Sequence, residues 1–386
     1  MRQVKLIATA TFGLEAIVAD EVRKLGYTDV VVENGRVIFV AELAAIARAN
    51  LWLRAADRVR LVIGEFKAVT FDELFEKTKA LPWYEWIDPE GEFPVDGKSV
   101  KSTLFSISDC QAIVKKAVVE NMKSKYKKDW FPENGALYRV EVSILKDQVT
   151  LTIDTSGPGL HKRGYRDWIG TAPLKETLAA GLIYLSRWRN DRPLLDPFCG
   201  SGTIPIEAAM IGKNIAPGMN REFASESWPV IPRELWRTAR AETHDLANFS
   251  QKVEILGTDI DGEMVRVAER NAEQAMLDGE ISFKRIDIKD LHIVGDYGVL
   301  ICNPPYGERI SERSEVERLY RTLGEKYRSY RTWSYFVLTA NEQFERYFGA
   351  IASKKRKLYN GNIKVDYYQY YGPLPPFQRR DWAGED

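Results

Sequence analysis

The sequence predicts an α/β protein: a doubly wound, mostly parallel sheet in its C-terminal half, preceded by an α+β region. Three observations carry this. From about residue 173 onward, short apolar runs of strand length alternate with longer runs of helical spacing, the pattern of a parallel sheet with crossover helices. Several of those strands end in an acid, a Gly-rich turn or a proline pair, at the carboxyl edge where such sheets hold ligands. Before residue 156 the order is instead strand, helix and hairpin, which reads as α+β.

Val4 to Ala10 reads as a strand. Phe12 to Leu25 carries Leu14, Ile17, Val18, Val22 and Leu25 at helical spacing, and Gly26 is a stop. Val30–Val32 and Arg36–Val40 flank Asn34-Gly35, a hairpin signal because both residues tolerate positive φ. A helix over about Glu42–Arg54 follows, and the set suggests a ferredoxin-like half-fold over residues 1–57. Residues 58–155 form a second region. Its expected elements are strands at Leu61–Phe66 and Val100–Ser106, a helix near Phe71–Ala80 and a long helix over Asp109–Tyr126. Two further strands, near Tyr138–Leu145 and Gln148–Ile153, turn at Lys146-Asp147. Residues 156–170 are a Gly-rich basic connector, and 171–386 make the doubly wound domain. Its expected elements are helix Pro173–Trp188, strand Leu194–Asp196, helix Ile204–Ile211, strand Val253–Thr258, helix Gly262–Met276 and strands Ile281–Ile286, Tyr297–Cys302, Ser334–Thr339 and Ile363–Tyr371.

Composition sets bounds. Lys plus Arg and Asp plus Glu both number 55, so any basic surface must be a local patch. Cys110, Cys199 and Cys302 are odd in number and far apart, which points to a reducing cytoplasm without a disulfide framework. His161, His244 and His292 have no partners by spacing, and none of them sits near a Cys pair; no metal site is expected. No signal peptide and no apolar run long enough for a membrane span is found.

Three stretches carry chemistry. In Leu195-Asp196-Pro197-Phe198-Cys199-Gly200-Ser201-Gly202-Thr203, a buried strand ends in an acid and a Gly-rich turn that opens a helix. Glycines let a ligand approach the backbone, and the helix start offers N–H groups. No Lys follows Gly202, as a phosphate loop requires, and Pro205 stands where a dinucleotide fingerprint has its third Gly. An acid beside the turn suits a cationic amine, and S-adenosylmethionine brings an ammonium, a carboxylate and a sulfonium. The bland alternative is a tight strand-to-helix turn. In Gly257-Thr258-Asp259-Ile260-Asp261, Asp259 is placed to accept ribose hydroxyls, while Asp261 reads as a helix cap. Asp287, after the next strand, could bond an adenine amine or be an ordinary loop acid.

The third stretch is Ile301-Cys302-Asn303-Pro304-Pro305-Tyr306-Gly307. The prolines fix the backbone and hold Asn303 out of the helical region. The Asn303 side-chain and main-chain carbonyls can then converge on one N–H₂ group and aim its lone pair at a methyl donor. Tyr306 offers a face for stacking. This is positioning built in advance, and a sulfonium leaving group makes a protein nucleophile unnecessary.

These stretches resemble a known group. DPFCGSGT, GTDID and ICNPPYG are similar to the Rossmann-like methyltransferases that act on base amines. HKRGYR, TAPLKETLAAGLI and KRKLYNG resemble the bacterial THUMP-domain RNA methyltransferases, the group of the large-subunit rRNA guanine-N2 enzymes and their shorter Firmicutes relatives. The resemblance implies a ferredoxin-like part, a THUMP RNA-binding domain and a catalytic domain. It implies Asp196, Gly200 and Gly202 at the methionine end of the cofactor, Asp259 at the ribose, Asp287 on the adenine side and Asn303 to Tyr306 at the target base. The best-studied rRNA enzymes carry two methyltransferase domains, whereas this sequence shows a single such domain.

RNA contact is expected from Lys115, Lys116, Lys123, Lys125, Lys127 and Lys128 on the long helix, with Trp130 and Phe131 nearby to stack, and from Lys162, Arg163 and Arg166 in the connector. A solvated helix face is the plain alternative. The residues thus read as a methyltransferase acting on an exocyclic amine, adenine or guanine; the resemblance implies guanine-N2 of 23S rRNA foremost, with tRNA guanine-N2 and adenine-N6 of RNA or DNA as alternatives. A Cys nucleophile at Cys199 or Cys302, as in cytosine-C5 methylation, has no use for Asn-Pro-Pro-Tyr. A non-catalytic RNA-binding protein would need a defective cofactor site. In the insertion between Gly212 and Val253, Trp228 and Trp236 are expected mainly to pack, though the segment could also cover the cofactor or guide RNA.

Overall fold

The structure is a computed structural model and describes residues 2–166, 174–306 and 313–376. The chain divides into two compact units: residues 1–164 with 214–249, and residues 165–213 with 250–386.

The first unit is built on one seven-stranded sheet. Its strands are β1 (Gln3–Ala10), β2 (Val30–Glu33), β3 (Arg36–Glu42), β4 (Ala56–Lys67), β5 (Val95–Val100), β6 (Val140–Leu145) and β7 (Gln148–Asp154), in the order β2-β3-β1-β4-β7-β6-β5. All neighbours are antiparallel except β5 and β6. β4 is the shared strand: it pairs with β1 on one side and with β7 on the other. The two N-terminal regions expected from sequence thus share a hydrogen-bonded sheet. Alternation along the strands decides the faces. Leu6, Val59, Leu61, Val142, Ile144, Leu151 and Ile153 are buried, while Thr9, Arg60 and Ser143 are partly exposed. The helices are α1 (Glu15–Lys24), α2 (Ala45–Trp52), α3 (Phe71–Lys79) and α4 (Ile107–Tyr126).

Two local expectations change. Val100–Ser106 is not a strand: β5 is Val95–Val100, Lys101 takes a left-handed φ of 51°, and a loop leads into α4. At the Asn34-Gly35 turn, Gly35 has a positive φ (75°) and Asn34 does not. At Lys146-Asp147 both residues have positive φ, 51° and 65°, as a tight hairpin turn requires.

Residues 214–249, read from sequence as part of the catalytic domain, belong to the first unit. Trp228 is buried, stacks on Tyr138 at 4.8 Å and donates its indole N–H to the Leu137 carbonyl (3.0 Å). Trp236, on the helix Arg233–Leu246, is buried against Phe223 at 5.4 Å. Arg48 of α2 makes a bidentate pair with Glu242, 2.7 Å on each oxygen. Arg221 donates to the carbonyls of Gly159 (2.7 Å), Lys162 (2.9 Å) and Pro158 (2.5 Å), and burial, then the neighbouring Arg163 and Arg58, push its pKa down to about 10. The insertion therefore anchors the connector by packing, and its tryptophans are structural.

The second unit holds the other seven-stranded sheet. It contains β8 (Leu194–Asp196), β9 (Ile255–Asp259), β10 (Ser282–Arg285), β11 (Val299–Cys302), β12 (Ser334–Thr339), β13 (Lys354–Asn360) and β14 (Ile363–Tyr370), in the order β10-β9-β8-β11-β12-β14-β13. The first five are parallel; β14 runs antiparallel to both β12 and β13. The helices include α5 (Glu176–Ser186), α6 (Thr203–Gly212), α8 (Gly262–Gln274) and α9 (Arg313–Ser329), with Arg233–Leu246 of the first unit taking the label α7. Sequence reading missed α9 and β13. The direction of winding reverses between β8 and β11, which makes their carboxyl ends the switch point. β11 and β12 are fully buried, so both read as continuous apolar runs. Pro173, the expected start of α5, lies outside the described residues, as do Gly307 and residues 377–386 of the tail.

Candidate active site

Three loops meet the carboxyl edge of the second sheet around its switch point. Asp196 ends β8 and is 1% exposed. Its Oδ1 accepts the Phe198 N–H at 3.1 Å, and among the described residues no cation pairs with it. Burial pushes its carboxyl well above the usual range, with the nearby Asp259 charge adding to the effect. The turn then folds tightly. Cys199 N–H donates to Thr258 O (2.9 Å), Gly202 N–H donates to Cys199 O (2.8 Å), and Gly200 and Gly202 take φ of 50° and 84°. A Cβ on Gly200 would meet nothing within 4 Å, whereas one on Gly202 would meet Ala268 Cβ at 3.0 Å and Phe283 at 3.2 Å. The two glycines therefore serve different ends: Gly200 leaves a space beside the backbone, and Gly202 lets α6 pack. Pro197 and Thr203 are buried, and Phe198 is partly exposed.

Asp259, at the end of β9, spans two loops. Its Oδ2 accepts the Gly200 N–H (3.0 Å) and its Oδ1 the Asp261 N–H (2.9 Å). Each carboxylate oxygen has a second lone pair, so both can still accept a hydroxyl. Ile260 is 62% exposed beside it, and Asp261 caps α8 through the Glu263 N–H, as its spacing predicted. Asp287 is occupied locally. It caps a short 3₁₀ turn through the Lys289 N–H (3.0 Å) and pairs with Lys289 Nζ (3.3 Å), which together hold its carboxyl below the usual range.

After β11, Asn303 is partly exposed, Pro304 buried, Pro305 exposed and Tyr306 partly exposed. The Tyr306 hydroxyl donates to Asn303 Oδ1 at 2.5 Å. Sequence reading gave Tyr306 a stacking face and missed this bond. Tyr320, buried on α9, donates to the Pro305 carbonyl (2.9 Å) and shares a hydrogen bond with Thr339 Oγ1 (2.8 Å). Nothing in the sequence marked Tyr320, because it lies 15 residues downstream on a helix with no motif of its own.

Cys199 and Cys302 are buried, and burial pushes both thiols far above their ordinary values. Neither is poised as a thiolate nucleophile. Among the described residues no group of three or more His, Cys, Asp or Glu could hold a metal ion, and no helix is long and apolar enough to cross a membrane.

The basic residues expected to touch RNA separate. Arg163 is 4% exposed and donates to the carbonyls of Leu160 (2.7 Å) and Arg54 (2.6 Å), so it holds the fold and cannot reach a phosphate. Arg166 pairs with the buried Glu176 (3.3 Å) and bonds Thr203 Oγ1 at the start of α6, which makes it a support of the Gly-rich turn. Lys115 is held by Glu133 (2.6 Å) over the Phe93 ring, and Phe131 is buried edge-on to Tyr126. Lys123 pairs with Glu120 (3.3 Å), and Lys125 lies over the Tyr84 ring. Lys116 is exposed, with its Nζ 5.7 Å from the Phe75 ring centroid. Lys127, Lys128, Lys162 and Trp130 are exposed.

A sheet of this order, with a Gly-rich turn after its first strand and Asn-Pro-Pro-Tyr after its fourth, defines a Rossmann-like methyltransferase. Comparison with known proteins makes the family definite. Residues 163–369 match the RMKL-like methyltransferase domain, residues 5–60 the RlmL ferredoxin-like domain and residues 68–154 the THUMP domain. The chain is 54% identical over 382 residues to YpsC, a candidate RNA methyltransferase of Bacillus subtilis, covering 98% of this chain and 99% of that protein. It is 36% identical to ribosomal RNA large subunit methyltransferase K/L of Syntrophotalea carbinolica, of which it spans about half (52%). Among solved structures, one from Listeria monocytogenes, described as a predicted N6-adenine-specific DNA methylase, matches with a TM-score of 0.93 at 57% identity, 97% of each chain. Another, SMU.472, a candidate methyltransferase in complex with SAH, gives 0.92 at 47% identity, 97% of this chain and all of that one. The chain belongs to this RMKL-like family of RNA methyltransferases, and S-adenosylmethionine is its methyl donor.

Proposed function

We propose that this enzyme methylates the N2 amine of a guanine in 23S rRNA, in the cytoplasm. The observation that carries the reading is the Asn303–Tyr306 pair at the carboxyl end of β11, with Asn303 Oδ1 fixed at 2.5 Å from the tyrosine hydroxyl. The K/L relatives supply the choice of rRNA. The residues present fit the methyl donor. Asp196 is a buried carboxylate without a cation of its own among the described residues, and suits the ammonium of the methionine end. Gly200 leaves room for close approach, and Asp259 has lone pairs left for ribose hydroxyls. When bound, the donor supplies an electrophilic methyl group on a sulfonium.

All else falls to the chain. An exocyclic amine is a poor nucleophile because its lone pair is delocalised into the ring. Asn303 Oδ1 has two lone pairs; Tyr306 takes one and leaves the other for an amine proton. Two acceptors, this oxygen and a main-chain carbonyl of the Asn303–Pro305 turn, favour the pyramidal nitrogen that becomes positive as the new N–C bond forms. The proton then leaves to solvent. The target base must leave its stack to reach this edge. Arg166 and Tyr320 support the two loops from behind.

Adenine-N6 is the second reading, favoured by the description of the Listeria relative; a guanine in tRNA is the third. Nucleoside mass spectrometry of fractionated 23S rRNA and tRNA from a strain lacking the gene separates them. Loss of N2-methylguanosine from one 23S rRNA position supports the proposal. Loss of N6-methyladenosine, or loss confined to tRNA, overturns it.

A further inference from the structure

The last arginine of HKRGYR and the acid of LKETLAAGLI meet at the start of α6. The Arg166 guanidinium pairs with Glu176 (Nε to Oε1, 3.3 Å), and its Nη2 donates to Thr203 Oγ1 and to the Leu174 carbonyl (3.3 Å). Only 10% of the Arg166 side chain and 4% of the Glu176 side chain is exposed. Taking two such charges out of water costs more than a neutral brace for a turn would. Nη1 of Arg166 has no partner among the described residues, so the chain satisfies the cation only in part.

α6 itself begins without a cap. Its N-cap is Gly202, which has no side chain, and its third residue is Pro205, which has no N–H. Ile206 N–H closes on Gly202 O (2.9 Å). The Thr203 and Ile204 N–H groups are left with no partner among the described residues, on residues 5% and 2% exposed. A helix start buried with open donors calls for an anion from outside the chain. Asn271 Nδ2 donates to Ser201 O (2.9 Å) and holds the turn in place from α8.

The methyl donor brings such an anion. Its ammonium suits Asp196 and its ribose Asp259, but residues 195–204, 257–261 and 303–306 contain no cation for its carboxylate. Ammonium and carboxylate hang from one carbon atom, so their partners must lie close together. Asp196 opens the turn, and the Thr203 and Ile204 N–H groups close it.

We propose that the carboxylate of the donor's methionine part sits on the Thr203 and Ile204 N–H groups, and that Arg166 is the positioning residue for it. Arg166 occupies Thr203 Oγ1 as an acceptor, so the hydroxyl proton is free to donate to the carboxylate. The buried guanidinium adds its charge to the positive end of the α6 dipole. Glu176 fixes the guanidinium and balances it in the ligand-free protein. The inference rests on the methionine end lying at this turn.

Calorimetric titration of the full-length enzyme with three ligands tests it. They are S-adenosylhomocysteine, its decarboxylated analogue, and 5′-methylthioadenosine, which lacks the whole amino-acid part. Wild type should bind the decarboxylated analogue more weakly than S-adenosylhomocysteine by on the order of tenfold or more, the loss of charge-assisted hydrogen bonds. Arg166→Gln combined with Glu176→Gln removes both charges and leaves neither buried alone. It should lower affinity for S-adenosylhomocysteine by about tenfold and leave that for the decarboxylated analogue unchanged. Thr203→Val keeps the shape of the side chain and should narrow the same gap, which keeps the test open if the double variant does not fold. An equal loss for both ligands would make Arg166 a brace of the turn alone and overturns the proposal. So does wild type that binds both equally but 5′-methylthioadenosine less well. Equal wild-type affinity for all three overturns the placing of the methionine end as well.

Discussion

Gly200 and Gly202 sit two residues apart on one turn, and the same added methyl group should act differently on each. Gly200 has φ 50° and open space where a Cβ would stand. Alanine there carries only the left-handed backbone penalty, about 1–2 kcal/mol. The methyl group would project into the room proposed for the methionine end of the cofactor, so affinity for S-adenosylhomocysteine should fall by about tenfold or more, as for an overpacked site. Gly202 has φ 84° and would drive its methyl into Ala268 and Phe283, at 3.0 and 3.2 Å. The backbone penalty and about 1–3 kcal/mol of overpacking then add, for a loss of roughly 2–5 kcal/mol in stability. The folded fraction should bind the cofactor nearly as wild type does. Thermal melting and calorimetric titration on both variants give the two numbers. A Gly200→Ala protein that keeps full affinity would refute the argument that the ligand approaches the backbone there.

Three further outcomes follow from the same geometry. Tyr320→Phe keeps the ring edge-on to Phe344 but strips the hydroxyl from the Pro305 carbonyl; turnover should fall about tenfold, in line with a lost buried hydrogen bond of 1–3 kcal/mol, while cofactor affinity holds, and equal turnover would remove Tyr320 from the positioning of the loop. Burial raises the Asp196 pKa in the folded chain, so the stability contributed by its protonated form is present at low pH and is lost as pH rises through that pKa. A cofactor ammonium favours the carboxylate instead, so binding should release a proton and apparent affinity should rise with pH; calorimetry in buffers of different ionisation enthalpy that finds no proton release, with Asp196→Asn as the control, would exclude this pairing. Cys199→Ser and Cys302→Ser should keep methyl transfer in the folded fraction, since both thiols are buried and protonated; activity abolished with the fold intact would bring back a cysteine nucleophile.

Much of the second unit was legible because its strands are short, apolar and punctuated. Leu194–Asp196 and Ser334–Thr339 are found where the apolar runs stood, and Asp261 caps its helix as its spacing implied. α9 was missed because its charged residues outnumber its apolar ones, and its packing rests on Val316, Tyr320 and Leu323. β13 reads Lys-Lys-Arg-Lys at its start, an edge strand whose charges hide its period. The site motifs were visible as strings, but their internal hydrogen bonds were not. The Tyr306–Asn303 bond and the Asp259–Gly200 bond, which spans 59 residues, depend on tertiary placement. The connector arginines misled for the same reason. Arg163 and Arg166 look like a basic patch in sequence, yet each is drawn inward by carbonyls or a buried acid that sequence does not set beside it. The seven-stranded N-terminal sheet was read as two regions because β4 serves both, and a strand shared by two neighbours carries no boundary signal.

The most direct test of the account is single-turnover methyl transfer to 23S rRNA from a strain lacking the gene, comparing wild type with Asn303→Ala. The product nucleoside should be N2-methylguanosine. Asn303→Ala should be slower by a factor on the order of 10²–10³, the loss typical of a preorganised transition-state partner, with cofactor affinity unchanged. Full activity in Asn303→Ala, or a methyl group on a ring carbon, would contradict it.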